Sequence, residues 1–354
     1  MNEVLGKPVA IGEINRELKR LWALDEAAAN ASLMNLTIYS EQAENLVENS
    51  QAIQALTREH ACRAILIGMD RAVKEPSIES WVTTHCHLAH GRKTVCCEQL
   101  SFLLKGKAIG RLRNTLFAQL SSDLPLVFWW QGELSDLFEE RLYCLVERLI
   151  VDSSEWSDVA GGFLRLASAV EDSRCQMAVQ DLAWTRTFHF RLGIAGIFDD
   201  PIASQMLASA ESVKISGLAE HWTSSWMLIA WLATQAQWSL VSQHEGGFVF
   251  ARKDGGEVQI QVETNAEGPA IGLLEIGNGE TTVKVSRATG ASFLDLSLTS
   301  PEHELTQLVP ADVDGQVDLV ADQLARGGKN SLFLKIWPTF FQMLGVEAPN
   351  SCRQ

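Results

Sequence analysis

The sequence predicts two domains of different class. The first, over residues 1–175, is an α/β domain whose mixed, mostly parallel sheet carries an antiparallel hairpin. The second, over residues 176–354, is an α+β domain with an antiparallel meander and C-terminal helices. Three observations lead there. A chain of 354 residues suits about two domains. Its first half alternates buried strand runs with helical periodicity, as a mostly parallel sheet requires. Its second half strings short alternating segments between glycine turns, as an antiparallel sheet with one buried face does.

In the first half, Ile11, Ile14, Leu18, Leu21 and Trp22 recur at three- and four-residue steps, which predicts an amphipathic helix over residues 12–24. Leu33 to Tyr39 predict a strand. Ser40 is placed to cap the next helix, which Ala43, Leu46, Val47, Ile53 and Leu56 continue. Cys62 to Gly68 predict a buried strand. Trp81 to Leu88 and Thr94 to Leu104, separated by a glycine-containing loop, predict a hairpin. A helix near 107–120 precedes a buried strand from Leu124 to Trp130. A short helix then leads to a strand at Arg148 to Val151. Asp152, Ser153 and Ser154 offer caps for a helix reaching about residue 173.

In the second half, helices are expected near 185–198 and 221–236, the latter with Trp222, Trp226, Ile229 and Ala233 on one stripe. Phe248 to Phe250 open the meander. Val258, Ile260 and Val262 alternate, as do Val283 with Val285 and Leu294, Leu296 and Leu298. Turns fall at Gly255-Gly256, Gly277-Asn278-Gly279 and Thr289-Gly290. A helix bearing Val313, Val317, Val320 and Leu324 stops at Gly327-Gly328. The last helix runs from about 331 to 345, with Pro338 marking a kink or a restart.

Composition narrows the function classes. The hydrophobic fraction is 46% and the charged fraction 21%, as in a globular chain with a real core. A net charge of -15 disfavours nucleic acid, which needs clustered Lys and Arg, and disfavours an anionic membrane surface. Residues 1–8 lack the basic and apolar runs of a signal peptide, and the apolar stretch from Trp226 to Ala233 is too short to span a bilayer. A cytoplasmic protein is expected. Seven cysteines, an odd number in a long chain, predict reduced thiols rather than a disulfide framework. No phosphate-binding glycine loop, dinucleotide fingerprint, HExxH pair or GxSxG elbow occurs, so residue chemistry names no reaction and no cofactor.

Five phrases do more. Ala31-Ser32-Leu33-Met34-Asn35-Leu36, Cys96-Cys97-Glu98-Gln99, the run from Leu124 to Glu133 (LPLVFWWQGE), Leu149-Ile150-Val151-Asp152-Ser153-Ser154 and Asp181-Leu182-Ala183-Trp184-Thr185-Arg186 occur in that order. Together they resemble the OpcA family of glucose-6-phosphate dehydrogenase assembly proteins, over roughly residues 10 to 240. The resemblance implies a non-enzymatic partner that binds glucose-6-phosphate dehydrogenase and promotes its active oligomeric form. That would support the oxidative pentose phosphate pathway and NADPH supply. The alternative is a sugar-phosphate-binding enzyme or sensor using a crevice between the domains.

Physical reading of these phrases picks out candidate residues. Strand ends line the ligand crevice of an α/β sheet, which nominates Trp130 and Glu133. Asp152, Ser153 and Ser154 stand where a helix N-terminus could hold an anion. Asp181, Trp184 and Arg186 stand near the domain junction, where Arg186 could grip a carboxylate or phosphate. The plainer reading, caps and buried aromatics, is the commoner one. The stretch "THCHLAHGRKTVCCEQ" offers a second candidate. His85 and His87 share a strand face, so with Cys96 or Cys97 from the neighbouring strand they could bind zinc. A structural role is favoured, since no C-x-x-C pair is present and free cysteine packs as a small hydrophobe. Cys352, two residues from the end, is the candidate for the redox control that some photosynthetic members of the family are thought to show. The docking face and the chain's own oligomeric state are not written in any motif, though the outer face of the meander is a candidate surface.

Overall fold

The computed structural model describes residues 2–23, 29, 30, 32–89, 92–172, 176–327 and 331–349. The chain divides into two compact units. One comprises Met1–Asp152, Ala169–Gln180 and Val320–Gly328, and the other Ser153–Ser168, Asp181–Leu319 and Lys329–Gln354. Their sheets are of the two predicted classes.

The first sheet has nine strands among the described residues: β1 (Lys7–Pro8), β2 (Ala29–Asn30), β3 (Asn35–Ser40), β4 (Arg63–Asp70), β5 (Ser77–Ala89), β6 (Arg92–Lys105), β7 (Leu126–Trp130), β8 (Arg148–Val151) and β9 (Ala178–Asp181). Their order is β1-β5-β6-β4-β3-β7-β8-β9, with β2 on β6. The centre β6-β4-β3-β7-β8 is parallel, and β5 is the antiparallel hairpin partner of β6. Helices α1 (Asn2–Leu5), α2 (Ile14–Ala23), α3 (Asn45–Leu56), α4 (Leu112–Phe117), α5 (Glu140–Tyr143) and α6 (Val159–Glu171) alternate with these strands along the chain. Leu46 and Ile53 of α3 are buried. The helix sits so close to β4 that a Cβ on Gly68 would stand 2.8 Å from Leu46 Cγ.

Three local expectations need correction. Ser40 does not cap α3, whose N-cap is Glu44; its hydroxyl accepts instead from Gln42 N–H and Asn45 Nδ2 in the turn before the helix. The helix expected near 107–120 starts as a 3-10 turn over Gly106–Arg111, and α4 is one short segment after it. Ser153 and Ser154 belong to a 3-10 turn (Ser153–Glu155), and α6 begins only at Val159.

The second sheet contains β10 (Ser212–Leu218), β11 (Ser239–His244), β12 (Gly247–Ala251), β13 (Glu257–Asn265), β14 (Leu273–Gly277), β15 (Thr282–Ser286), β16 (Phe293–Thr299) and β17 (Glu304–Pro310). Their order is β11-β12-β13-β10-β14-β15-β16-β17. The expected meander is therefore split: β10, absent from the sequence-based expectation, lies between β13 and β14, parallel to the first and antiparallel to the second. One face is apolar and buried, with Val213, Ile215, Ile260, Leu274, Val283, Val285, Leu296 and Leu298.

Helices α7 (Leu182–Thr185), α8 (Phe188–Ile197), α9 (Pro201–Ala208), α10 (Trp222–Ala236), α11 (Gln316–Arg326) and α12 (Ser331–Met343) complete the chain. Helix α9 is likewise an addition to the expected elements. It is opened by Asp200, whose Oδ1 accepts from the N–H groups of Ile202 and Ala203, with Pro201 at the first position. Helix α12 runs through Pro338 without interruption. Phe163 of α6 is the hub of an aromatic core with Phe333, Trp337, Phe340 and Phe341 of α12, at centroid distances of 5.1 to 6.3 Å.

Candidate functional site

The hairpin comes first. Register pairs His85 with Cys97 and Cys86 with Cys96. Directly paired residues share a face, so Cys96 lies on the face opposite to His85 and His87. Cys96 is also disulfide-bonded to Cys86, with their Cα atoms 4.1 Å apart. The proposed set His85, His87 and Cys96 therefore does not converge on one ion. Cys144 is disulfide-bonded as well, so the expectation of reduced thiols holds among the described residues only for Cys62 and Cys97. Burial pushes both of those thiols upward in pKa, which keeps them protonated.

The ligating atoms of His85 and His87 are turned to the polar side of α3. His85 Nε2 is 2.8 Å from Gln99 Oε1, and Gln99 Nε2 donates to Ser50 and Ser101 hydroxyls. His87 Nε2 is 2.9 Å from Thr57 Oγ1. Glu98 accepts from Trp22 Nε1 and Arg63 NH1, each at 2.6 Å. Every residue of Cys96-Cys97-Glu98-Gln99 is thus bonded or buried within the unit.

At the carboxyl end of the parallel strands, where α/β sheets bind ligands, Trp130 is fully buried. Its ring lies 4.2 Å from Tyr39 and 5.7 Å from Phe138, and its Nε1 donates to the carbonyl of Glu133, whose side chain is exposed. Asp152 is buried just past the end of β8. The turn from β3 into α3 carries acid. Glu41 accepts two hydrogen bonds of 3.0 Å from Arg71, which also binds Asp136 at 2.7 Å. Burial works to raise the Glu41 carboxyl, but these donors win and hold it below the usual range. Glu44 and Glu48 follow at the start of α3. Nucleotide-binding sheets place glycines and free N–H groups at this turn; three carboxylates oppose a diphosphate there.

Ser153, Ser154, Asp181, Trp184 and Arg186 fall together in the second unit. Asp181 is fully buried and N-caps α7, its Oδ1 accepting from Ala183 N–H at 2.9 Å and Ser153 N–H at 3.1 Å. Arg186, only 5% exposed, donates from NH1 to Ser154 Oγ. Trp184 stacks on Phe333 at 5.6 Å and lies under the guanidinium of Arg191, 3.6 Å from its centroid. Arg191 Nε donates to Thr187 Oγ1 at 2.8 Å.

Two features here lie beyond sequence reasoning. Asp312 accepts from both the backbone N–H and ring Nδ1 of His189, 123 residues away in sequence. Burial raises the Asp312 carboxyl despite the opposing pull of His189 and Arg191. A carboxylate fixing Nδ1 is how an imidazole is oriented for proton transfer, yet the same carboxylate also satisfies the first turn of α8. The hydroxyls of Ser153, Thr223 and Ser224 are buried with no hydrogen-bond partner among the described residues. Composition and spacing carry no trace of either, because both depend on distant segments meeting. Cys352 lies outside the described residues. Glu140, Cys144 and Asp172 cluster closely enough to share an ion, but the disulfide removes the Cys144 thiolate.

Two family models match this chain, and both describe a glucose-6-phosphate dehydrogenase subunit. The model of its N-terminal domain matches residues 53–168, and the model of its C-terminal domain matches residues 177–337. Among curated proteins, one described as an OxPP cycle protein OpcA from Synechocystis is 22% identical over 81% of this chain and 64% of its own length. The protein of the same description from Nostoc punctiforme is 24% identical over 61% of this chain and 47% of its own. The chain thus spans about half to two thirds of these relatives. Among solved structures, an aldose-aldose oxidoreductase from Caulobacter crescentus aligns with a TM-score of 0.46 and 9% identity, covering 88% of this chain and 96% of its own. A likeness at that level carries no functional argument. Among the described residues no helix is long and apolar enough to cross a membrane.

Proposed function

This chain belongs to the OpcA family of glucose-6-phosphate dehydrogenase subunits, and from that membership we propose that it is a non-catalytic, cytoplasmic accessory protein that binds the dehydrogenase and promotes its active oligomeric state. It would thereby support the oxidative pentose phosphate pathway and its NADPH supply. The observation that carries the reading is the pair of domain matches, which together take in most of both units. The acidic turn at Glu41, Glu44 and Glu48 supports it, because a dinucleotide has no glycine cradle at that strand end. So does the internal use of the phrase Cys96-Cys97-Glu98-Gln99, whose residues are bonded or buried within the first unit. Mixing the purified chain with its cognate dehydrogenase and resolving the mixture by size tests the association: a co-migrating complex supports the proposal, and two independent species oppose it.

A second reading rests on the buried hydroxyls of Ser153, Thr223 and Ser224 and on the buried Arg186, all in the second unit, which are groups suited to a sugar phosphate or another small anion. Saturable binding of a sugar phosphate, abolished by Arg186→Ala, would favour it. Absence of binding by the parent chain would end it.

A further inference from the structure

The second sheet buries one face and leaves the other open. Gln259, Gln261, Lys284, Asp295, Phe293 and Leu308 are exposed along the open side. Its side chains form rows across the strands. The central row reads Gln261, Lys214, Glu275, Lys284, Ser297, Thr306, each directly paired with the next. The midline of the eight strands falls between β10 and β14, with four strands on either side. Lys214 and Glu275 stand opposite one another across that midline.

We propose that this face is the two-fold interface between two copies of this chain. Place a two-fold axis in the plane of contact, along the strands at the midline. Each β10 then lies over the other copy's β14, so Lys214 meets Glu275 of the second copy, and Glu275 meets its Lys214. One position further out, Gln261 meets Lys284. The neighbouring rows bring Glu263 over Ser286 and Ser212 over Gly277, while Ser216 in the row of Glu263 is already buried within the chain. No like charges are opposed in these pairings. Sheets stacked face to face are rotated by roughly 30°, which displaces outer strands most and leaves the axial pair in register. The size also fits. Eight strands about 4.8 Å apart and roughly 20 Å long give roughly 700 Å² per copy, close to the roughly 800 Å² of a standard stable interface. In the single chain Lys214 bridges Glu263 at 2.9 Å, and its contact with the second copy's Glu275 adds to or replaces that pair. The inference is independent of any association with a dehydrogenase.

The test uses charge reversal on the full chain, with mass measured by sedimentation. The parent chain is expected at twice the monomer mass. Lys214→Glu alone and Glu275→Lys alone each place two like-charge pairs at the axis and are expected at the monomer mass. Mixing the two variants restores both pairs, so a dimer containing one chain of each is expected. Carbodiimide coupling of isotopically light and heavy parent chains should also yield mixed Lys214–Glu275 peptides, a readout that needs no variant. A monomeric parent chain overturns the proposal, whether the open face then binds a dehydrogenase or nothing. So does a dimer indifferent to both reversals, or coupling confined to peptides of one isotope.

Discussion

Asp312 takes two hydrogen bonds from one residue, His189, through the backbone N–H and the ring Nδ1, each at 2.9 Å. A buried side chain from the segment before α11 thus both caps α8 and fixes its first imidazole. Asp312→Ala leaves a part-buried N–H and a ring nitrogen of His189 without this acceptor and should cost about 1–2 kcal/mol. Asp312→Asn keeps one acceptor and should cost less. Urea midpoints rank the two variants, and an unchanged midpoint for Asp312→Ala would show that the contact contributes nothing.

The Cys86–Cys96 disulfide closes a short hairpin loop. The chain-entropy account gives about 2–3 kcal/mol for a loop of this size. Cys86→Ser with Cys96→Ser should therefore lower the melting temperature of the oxidised protein and leave that of reduced protein nearly unchanged. Alkylation before and after reduction checks the pairing: Cys62 and Cys97 should label on unfolding alone, and Cys86 and Cys96 only after reduction.

Stability should fall on mild acidification. Burial strips hydration from His85 and His87 and lowers both below the ordinary 6.5, with Arg58 adding to the effect at His87. The unfolded chain then binds protons that the folded chain refuses. Their contribution is complete above pH 6.5 and is lost as pH falls through the folded values. His85→Gln with His87→Gln should flatten the urea-midpoint profile between pH 7 and the lowered values. A parent midpoint that rises on acidification across this window contradicts the assignment.

The acidic β3–α3 turn predicts weak affinity for dinucleotides. Calorimetry with NADP⁺ should show no saturable heat. A stoichiometric site would instead place the chain among dehydrogenase-like binders and remove the argument drawn from Glu41, Glu44 and Glu48.

Much of this molecule is legible in its sequence, and for a common reason. Strands such as Leu126 to Trp130 are apolar throughout because both faces are covered, and helices such as α2 and α10 repeat their apolar residues at helical steps. Both signals are local. β10 escapes sequence reasoning although Val213 and Ile215 alternate with Lys214 and Ser216, because a single short strand between helices has no neighbouring turn to announce it. The candidate residues divide in the same way. Trp130 as core follows from neighbours in the chain, whereas Asp181 as the cap of α7 is not read from them. The partners of Cys96 and His189 do not follow either, since register decides the first and a separation of 123 residues hides the second. The zinc set with Cys96 fails on register: one position along β6 separates Cys97, which faces with His85, from Cys96, which faces with Cys86.

The central claim is a functional association with glucose-6-phosphate dehydrogenase. Its most direct test is to titrate the purified chain into the cognate dehydrogenase at limiting glucose 6-phosphate while following NADPH formation and the enzyme's mass. The account predicts a saturable rise in activity together with a shift of the dehydrogenase toward a larger assembly that contains this chain. Unchanged activity and unchanged mass at saturating concentrations would contradict it.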